Sequence, residues 1–381
     1  MRRKVINKTM SISILIFLTL PFLYGQDGQN KASVAGGGAS FWLESLWNTQ
    51  LDPRWKAEEV IGDVEDGITA EFVEFSADGK LLVSGNGQGE AFVLNATDGT
   101  IKHTFTYITE EEVNRLDSEL VSNISGGFTK SMEAECGAFT PDGRFVVLGG
   151  NLNGIKIFDL TDGSLFRHIE VEEEVDGLSL SPDGRFFAHA SFRSVNVLGM
   201  NNWEVVQKVD YSKDSRGSVV NSIHFTADGD FMAIAGNSGN IILINTSDWN
   251  KVGDGLIPDA TSIKSVRFSP DERLIAAGNG GGEITVWRTW DMSLVFQFSS
   301  LVYIESVAWS SDGRYLFAGG RDDSEGRMLV FRTRDWQMVG NPSVLADGAS
   351  IEYIDVHGDL IAIAGEDAHV RLYRIKTKKD K

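Results

Sequence analysis

The chain has 381 residues, 42% of them hydrophobic, with 41 glycines, 7 prolines and one cysteine. That supplies a sizeable core and suits many tight hairpins, which argues against a disordered chain. The formal charge of −19 excludes DNA, RNA or an anionic membrane surface as a broad partner, because phosphates repel an acidic protein that has no segregated basic patch.

In chain order, MRRKVINK is a positive leader to the short apolar run MSISILIFLTLPFLYG, interrupted by Pro21. The run is too short and broken for a membrane span, and residues 1–25 read as a secretory signal peptide cut after Gly25. Export to a periplasmic or extracellular space follows, with no integral membrane span once the signal is removed. Cys136 is the only cysteine, so no internal disulfide forms despite that route. Residues 26–53 form a linker ending in the aromatic piece FWLESLWNTQL, which packs on the following domain or docks a partner.

From residue 54 to 376 one line recurs seven times, beginning VEFSADGKLLVSG (73–85) and ending IDVHGDLIAIAG (354–365). The turn acids Asp142, Asp183, Asp228, Asp271 and Asp312 return with a period in the low forties. Each copy reads as an alternating strand, a tight S-P-D-G turn, an apolar second strand, a glycine- or asparagine-rich turn, a third strand and an outer strand. Both faces of such a sheet are apolar, so the sheets must stack around an axis. The last copy ends at HVRLYRIK (369–376) without an outer strand. Trp55 precedes Phe75 by the interval that separates Trp336 from Val356, so RWKAEEVIG (54–62) is expected to complete the seventh sheet. Pairing first with last removes an open edge. Residues 377–381 are a solvated basic tail.

The SPDG turn, the strand spacing and the count of seven resemble the WD-repeat (WD40-like) propeller family over roughly residues 54–376. The resemblance implies an all-β, seven-bladed β-propeller of four-stranded antiparallel blades, closed by an N-terminal strand. The repeats are degenerate: the family's Gly-His is missing, and its Trp-Asp pair is replaced by Phe158-Asp159, Trp287-Arg288, Phe331-Arg332 or Tyr373-Arg374.

Three features are candidates for function. Between the first two copies lies an insertion, 109–127, where Thr109 and Glu112 make a capping box and Val113, Leu116, Leu120 and Ile124 form an apolar stripe at helical spacing. Its charged residues Glu110, Glu111, Arg115 and Glu119, with Asp322, Asp323, Glu366 and Asp367 in acidic turns on the same face, are candidate partner contacts. A helix that only packs its stripe on the blades remains open. Second, the position four residues before the last large apolar residue of each first strand holds Glu71, Glu135, Asp176, Asn221, Lys264, Glu305 and Glu352. First strands line a propeller's axis, so these groups ring the channel mouth, either as a solvated rim or as a site for Ca²⁺ or a cationic ligand. Third, Trp203, Trp249 and Trp336 recur before outer strands, which marks packing beneath a turn more than sugar stacking.

No zinc triad, P-loop, G-x-S-x-G or cysteine–base pair is present in the sequence, and no cofactor is expected beyond that Ca²⁺ option. The resemblance implies a non-catalytic scaffold or adaptor, a monomeric propeller within a larger assembly, that binds a protein partner through the inserted face. A lactonase-like propeller hydrolase, or a glycan-binding module, is the alternative.

Overall fold

The computed structural model describes residues 31–33, 41–52, 69–109, 111–112, 133–150, 154–171, 173–211, 219–256, 262–300, 302–322, 325–340, 343–345 and 349–377. These form seven antiparallel sheets, six of them with their main strands in sequence order from the inside out and the seventh completed by strands from the N-terminal part of the chain. Blade 4 shows the pattern: Val220–Phe225, Phe231–Gly236, Asn240–Asn245 and Lys251–Leu256. Blades 1, 2, 3, 5 and 6 begin at Glu74, Cys136, Leu178, Ile263 and Tyr303, and blade 7 at Ile351. The second and third strands are buried on both faces, as Val146, Val147 and Leu148 and then Ile155 and Ile157 show. Their side chains interdigitate with the neighbouring blade, so the core is a series of inter-blade clusters such as that joining Val195 and Val197 to Phe225 and Ile234.

Closure is achieved, but by a different strand from the expected one. The place beside His369–Thr377 is taken by Phe41–Gln50, paired from Phe41↔Thr377 to Gln50↔His369. Residues 54–62, assigned to that place from the Trp55 spacing, lie outside the described residues. The aromatic segment FWLESLWNTQ is therefore the outer strand of blade 7. Phe41 and Leu43, 3% and 2% exposed, pack between blades 6 and 7 against Phe317, Val330 and Ile363. On the other flank the Trp47 indole N–H donates to the Ala96 carbonyl of blade 1 at 3.0 Å, and the Thr49 hydroxyl donates to the Gly99 carbonyl at 2.9 Å.

A β-bulge at one register marks every outer strand. The extra residue is Lys102, Phe166, Val206, Val252, Val295 or Val339 in blades 1 to 6, and Leu46 in the closing strand. A bulge twists an edge and interrupts the row of free backbone groups that would otherwise accept another strand. The closing strand thus carries the same mark as the six outer strands to which it is otherwise unlike.

The inner strands of successive blades do not form a ladder with each other, so their inward N–H groups need partners. Side chains provide them. The Ser222, Ser265 and Ser306 hydroxyls accept from the N–H groups of Val266, Val307 and Ile354 in the next blade, at 3.1, 3.2 and 3.0 Å. Asp355 accepts from Phe75 N–H at 2.8 Å and so bolts blade 7 to blade 1. Ser265→Ala would leave the buried Val307 N–H unpaired, and is expected to cost about 1–2 kcal/mol in chemical denaturation. An unchanged midpoint would show that the bolts carry no stability.

Candidate protein-interaction face

The seven ring positions do converge. Glu71, Glu135, Asp176, Asn221, Lys264, Glu305 and Glu352 together line one cavity of about 400 Å³ at the channel mouth. In blades 4 to 7 the cause is visible in the strand register. Asn221, Lys264, Glu305 and Glu352 are each the extra residue of a bulge, between Val220 and Ser222, Ile263 and Ser265, Ile304 and Ser306, and Ile351 and Tyr353. A bulge re-aims one side chain without disturbing those on either side of it. Glycines at or next to the ends of the second strands permit this bend. A methyl group on Gly236 would stand 1.9 Å from the Val219 carbonyl, and one on Gly320 would stand 1.6 Å from the Tyr303 carbonyl.

Below the ring the channel has a polar floor. The Arg267 guanidinium of blade 5 lies 5.2 Å from the Tyr353 ring centre and donates to its hydroxyl. That hydroxyl donates in turn to Glu74 of blade 1 at 2.9 Å. Because Arg267 and Tyr353 also line the cavity, the mouth is a cup floored by a tie that links blades 5, 7 and 1.

The cup is acidic and reluctantly so. Burial, then repulsion from Glu305 and Glu366, pushes the Glu352 carboxyl up to about 8. Burial and then Glu174 push Asp176 up to about 6. Burial raises Glu71 and Glu135 well above the usual range, with Glu133 and Asp176 respectively as the next causes. Glu305 is also raised by burial, although Lys264 opposes the shift. Burial opposes the Lys264 charge, but Glu305 at 3.6 Å and the Tyr303 ring at 5.7 Å outweigh it and raise the ammonium above its usual value. Asn221 is committed elsewhere, donating to Asn237, Ser262 and the Ile263 carbonyl at 2.7–2.8 Å. Five crowded carboxylates, against Lys264 in the ring and Arg267 in the floor, favour a cation that enters, and such a cation would release protons as it binds.

The other candidates divide. Thr109 and Glu112 do form the capping box: Thr109 N–H donates to Glu112 at 2.8 Å, and Glu112 N–H to the Thr109 hydroxyl at 3.2 Å. Glu112 also pairs at 2.9 Å with Lys156, itself only 5% exposed in blade 2, which pins the start of the insertion to this face. Glu111 is exposed beside it. Glu110, Arg115, Glu119 and Asp323 lie outside the described residues, as does all of the helix expected over 109–127 beyond Glu112. The acidic turns are less available than their sequence implies. Asp367 is 2% exposed and held by Arg371, so it is a structural anion and not a surface contact. Asp322 is paired with Arg327, and Glu366 accepts from Arg321 at 3.2 Å and from Ser350 N–H at 2.7 Å.

The enzyme and sugar readings gain little from the geometry. Among the described residues no three His, Cys, Asp or Glu groups gather closely enough to hold a metal ion, so the ring carboxylates do not converge on one Ca²⁺ position. Burial pushes the Cys136 thiol well above its usual value, and the thiol donates to the Val175 carbonyl at 3.1 Å. The recurring tryptophans face aromatic neighbours. Trp249 packs edge-on to Phe186 at 5.1 Å, Trp336 stacks on Phe296 at 4.7 Å, and Trp203 meets Phe187 at 6.2 Å. All three sit at left-handed backbone positions where blades 1 and 2 have Gly99 and Gly163.

The seven stacked sheets thus define a seven-bladed β-propeller. The WD domain, G-beta repeat family model matches residues 257–288 and 295–324. The chain is 27% identical over 153 residues to an uncharacterised WD repeat-containing protein of Synechocystis, covering 38% of this chain and 41% of that one. It is 24% identical over 167 residues to the Protein LST8 homolog of Drosophila melanogaster, covering 41% and 51%. A WD repeat-containing protein of Schistosoma mansoni is 30% identical over 142 residues, covering 37% and 46%. The chain spans about half or less of the length of these relatives. Among solved structures, the β-propeller domain of Cps50 (Swd1) from Myceliophteria thermophila superposes with a TM-score of 0.64 at 17% identity, covering 82% of this chain and 99% of that domain. That likeness concerns the fold alone.

Proposed function

We propose that this chain is a non-catalytic, exported interaction scaffold whose partner docks a basic segment on the face that carries the channel mouth. One observation carries the reading: seven groups at or just before the inner strands, five of them carboxylates, converge on a single cup in which Lys264 is the one cation of the ring. Similarity to WD-repeat propellers supports scaffold work in general. The pinned start of the insertion supports this face over the opposite one. For export, the support is the N-terminal sequence and the position of closure, since a cut after Gly25 leaves all of Phe41–Gln50 in the mature chain.

The test is crosslinking in the native cell followed by identification of captured proteins, for the intact chain, for Glu71→Gln/Glu135→Gln/Glu352→Gln, and for a deletion of 113–127. The carboxylate variant is expected to stay folded and to lose a partner that the intact chain captures. A partner set unchanged in both variants would overturn the face assignment. N-terminal sequencing of the cellular protein tests export, and a chain still beginning at Met1 would count against it.

A further inference from the structure

The closing strand differs from the other outer strands in one respect that matters for assembly. In blades 1 to 6 the outer strand begins one or two residues before its bulge, because the chain has just left the turn from the third strand. Lys251 precedes Val252 directly, and Leu294 precedes Val295. Blade 7 has no such turn, so its outer strand runs on, and five residues, Phe41 to Ser45, lie ahead of the bulged Leu46. Those five keep a regular register with Tyr373–Thr377. They form an unbulged edge of the kind that accepts another strand. In the structure that edge is covered by the short strand Lys31–Ser33, in the register Lys31↔Glu44, Ala32↔Leu43 and Ser33↔Trp42. It is joined to the closing strand through the sequence VAGGGAS, longer than a usual hairpin connection.

We propose that Phe41–Ser45 is a strand-addition site which a second copy of this chain fills edge to edge once it is open, and that Lys31–Ser33 is the guard that keeps it closed. The edge is self-complementary. An antiparallel register centred on Leu43 sets Glu44 opposite Trp42 of the second copy, with no like charges opposed. Such pairing is two-fold symmetric and stops at a dimer. Three residue pairs on a glycine-rich tether make a light guard, whose advantage is that it is always at high effective concentration. The partner face proposed above plays no part in this site.

The experiment uses the full chain and Ala32→Pro, which removes a donor from the guard strand without touching the inter-blade core. Amide exchange over 41–45 and sedimentation velocity are followed across a concentration series. Intact protein should be monomeric, with protected edge amides. Ala32→Pro should melt at the same temperature, lose about tenfold or more of that protection when dilute, and regain it while forming dimers when concentrated. Adding Trp42→Glu to Ala32→Pro sets a second carboxylate opposite Glu44 at both symmetric positions and should abolish the dimer. Equal protection in the intact chain and Ala32→Pro would overturn the proposal, as would an opened edge that stays monomeric or a dimer that survives Trp42→Glu.

Discussion

A chain shortened to begin at Asp52 is expected to lose its ring and to aggregate. The truncation removes Phe41 and Leu43 from the blade 6–7 core and Trp47 from the blade 7–1 seam. Large apolar side chains taken from a core cost about 2–5 kcal/mol each. Three such losses consume most of the ~5–15 kcal/mol that typically separates folded from unfolded states. The third strand His369–Thr377, with its central Val370 and Leu372 fully buried, would become an open apolar edge. Thermal melting and sedimentation decide the matter: a shortened protein as stable and as monodisperse as the intact one would refute closure by residues 41–50.

Stability should fall as pH rises from about 4.5 to 8, the reverse of ordinary acid denaturation. In the unfolded chain the cup carboxyls release their protons near pH 4. In the folded ring Asp176 holds its proton to about 6, Glu74 to about 7 and Glu352 to about 8. Across that window the folded state binds more protons than the unfolded, so each increase in pH favours unfolding. The turn acids act oppositely. Asp78, lowered to about 2 by hydrogen bonds from Lys80 and Ser76, stabilises above pH 4 and loses that contribution below it, but it is exposed and adds little. Glu352→Gln is therefore expected to stabilise at pH 8 by about 2 kcal/mol and to change nothing at pH 4. The gain is smaller than the full shift implies because Glu305 and Glu352 repel each other and both are raised. Urea midpoints at the two pH values measure it, and an equal effect at both would sink the acidic-cup account.

Much of this was legible in the residues. The SPDG turns carry their own chemistry: Ser269 donates to Asp271 at 2.7 Å and its hydroxyl then accepts from Leu274 N–H, a local circuit that any copy of the motif rebuilds. Counting back from Phe225, Phe268 and Trp309 to Asn221, Lys264 and Glu305 located the channel ring, because the bulge recurs at a fixed distance from the turn. The closing strand was misplaced for a physical reason. Trp55 mimics the spacing of Trp336, but the Trp249 and Trp336 positions belong to turns between third and outer strands, and blade 7 has no such turn. The better signal was the alternation Phe41, Leu43 beside the aromatic Trp47, which a spacing argument overlooks. The fate of Asp322 and Asp367 was hidden too. Their arginine partners, Arg327 and Arg371, lie across a hairpin, and only the fold shows that those charges are neutralised internally. The serine bolts were invisible, since Ser222, Ser265 and Ser306 pair with backbone groups a whole blade away.

Placing the outer strand of blade 7 at residues 41–50 also fixes an order of events during synthesis. The ribosome delivers that strand before any blade and its mate, 369–377, after all of them, so the nascent chain must carry the blade 7 edge of FWLESLWNTQ unpaired until translation has passed residue 377. Contacts of such long sequence separation form slowly, and the waiting segment is a natural substrate for chaperones. The last step of folding is then a ring-closing one, and a pause late in translation would prolong the sticky interval more than the same pause early on.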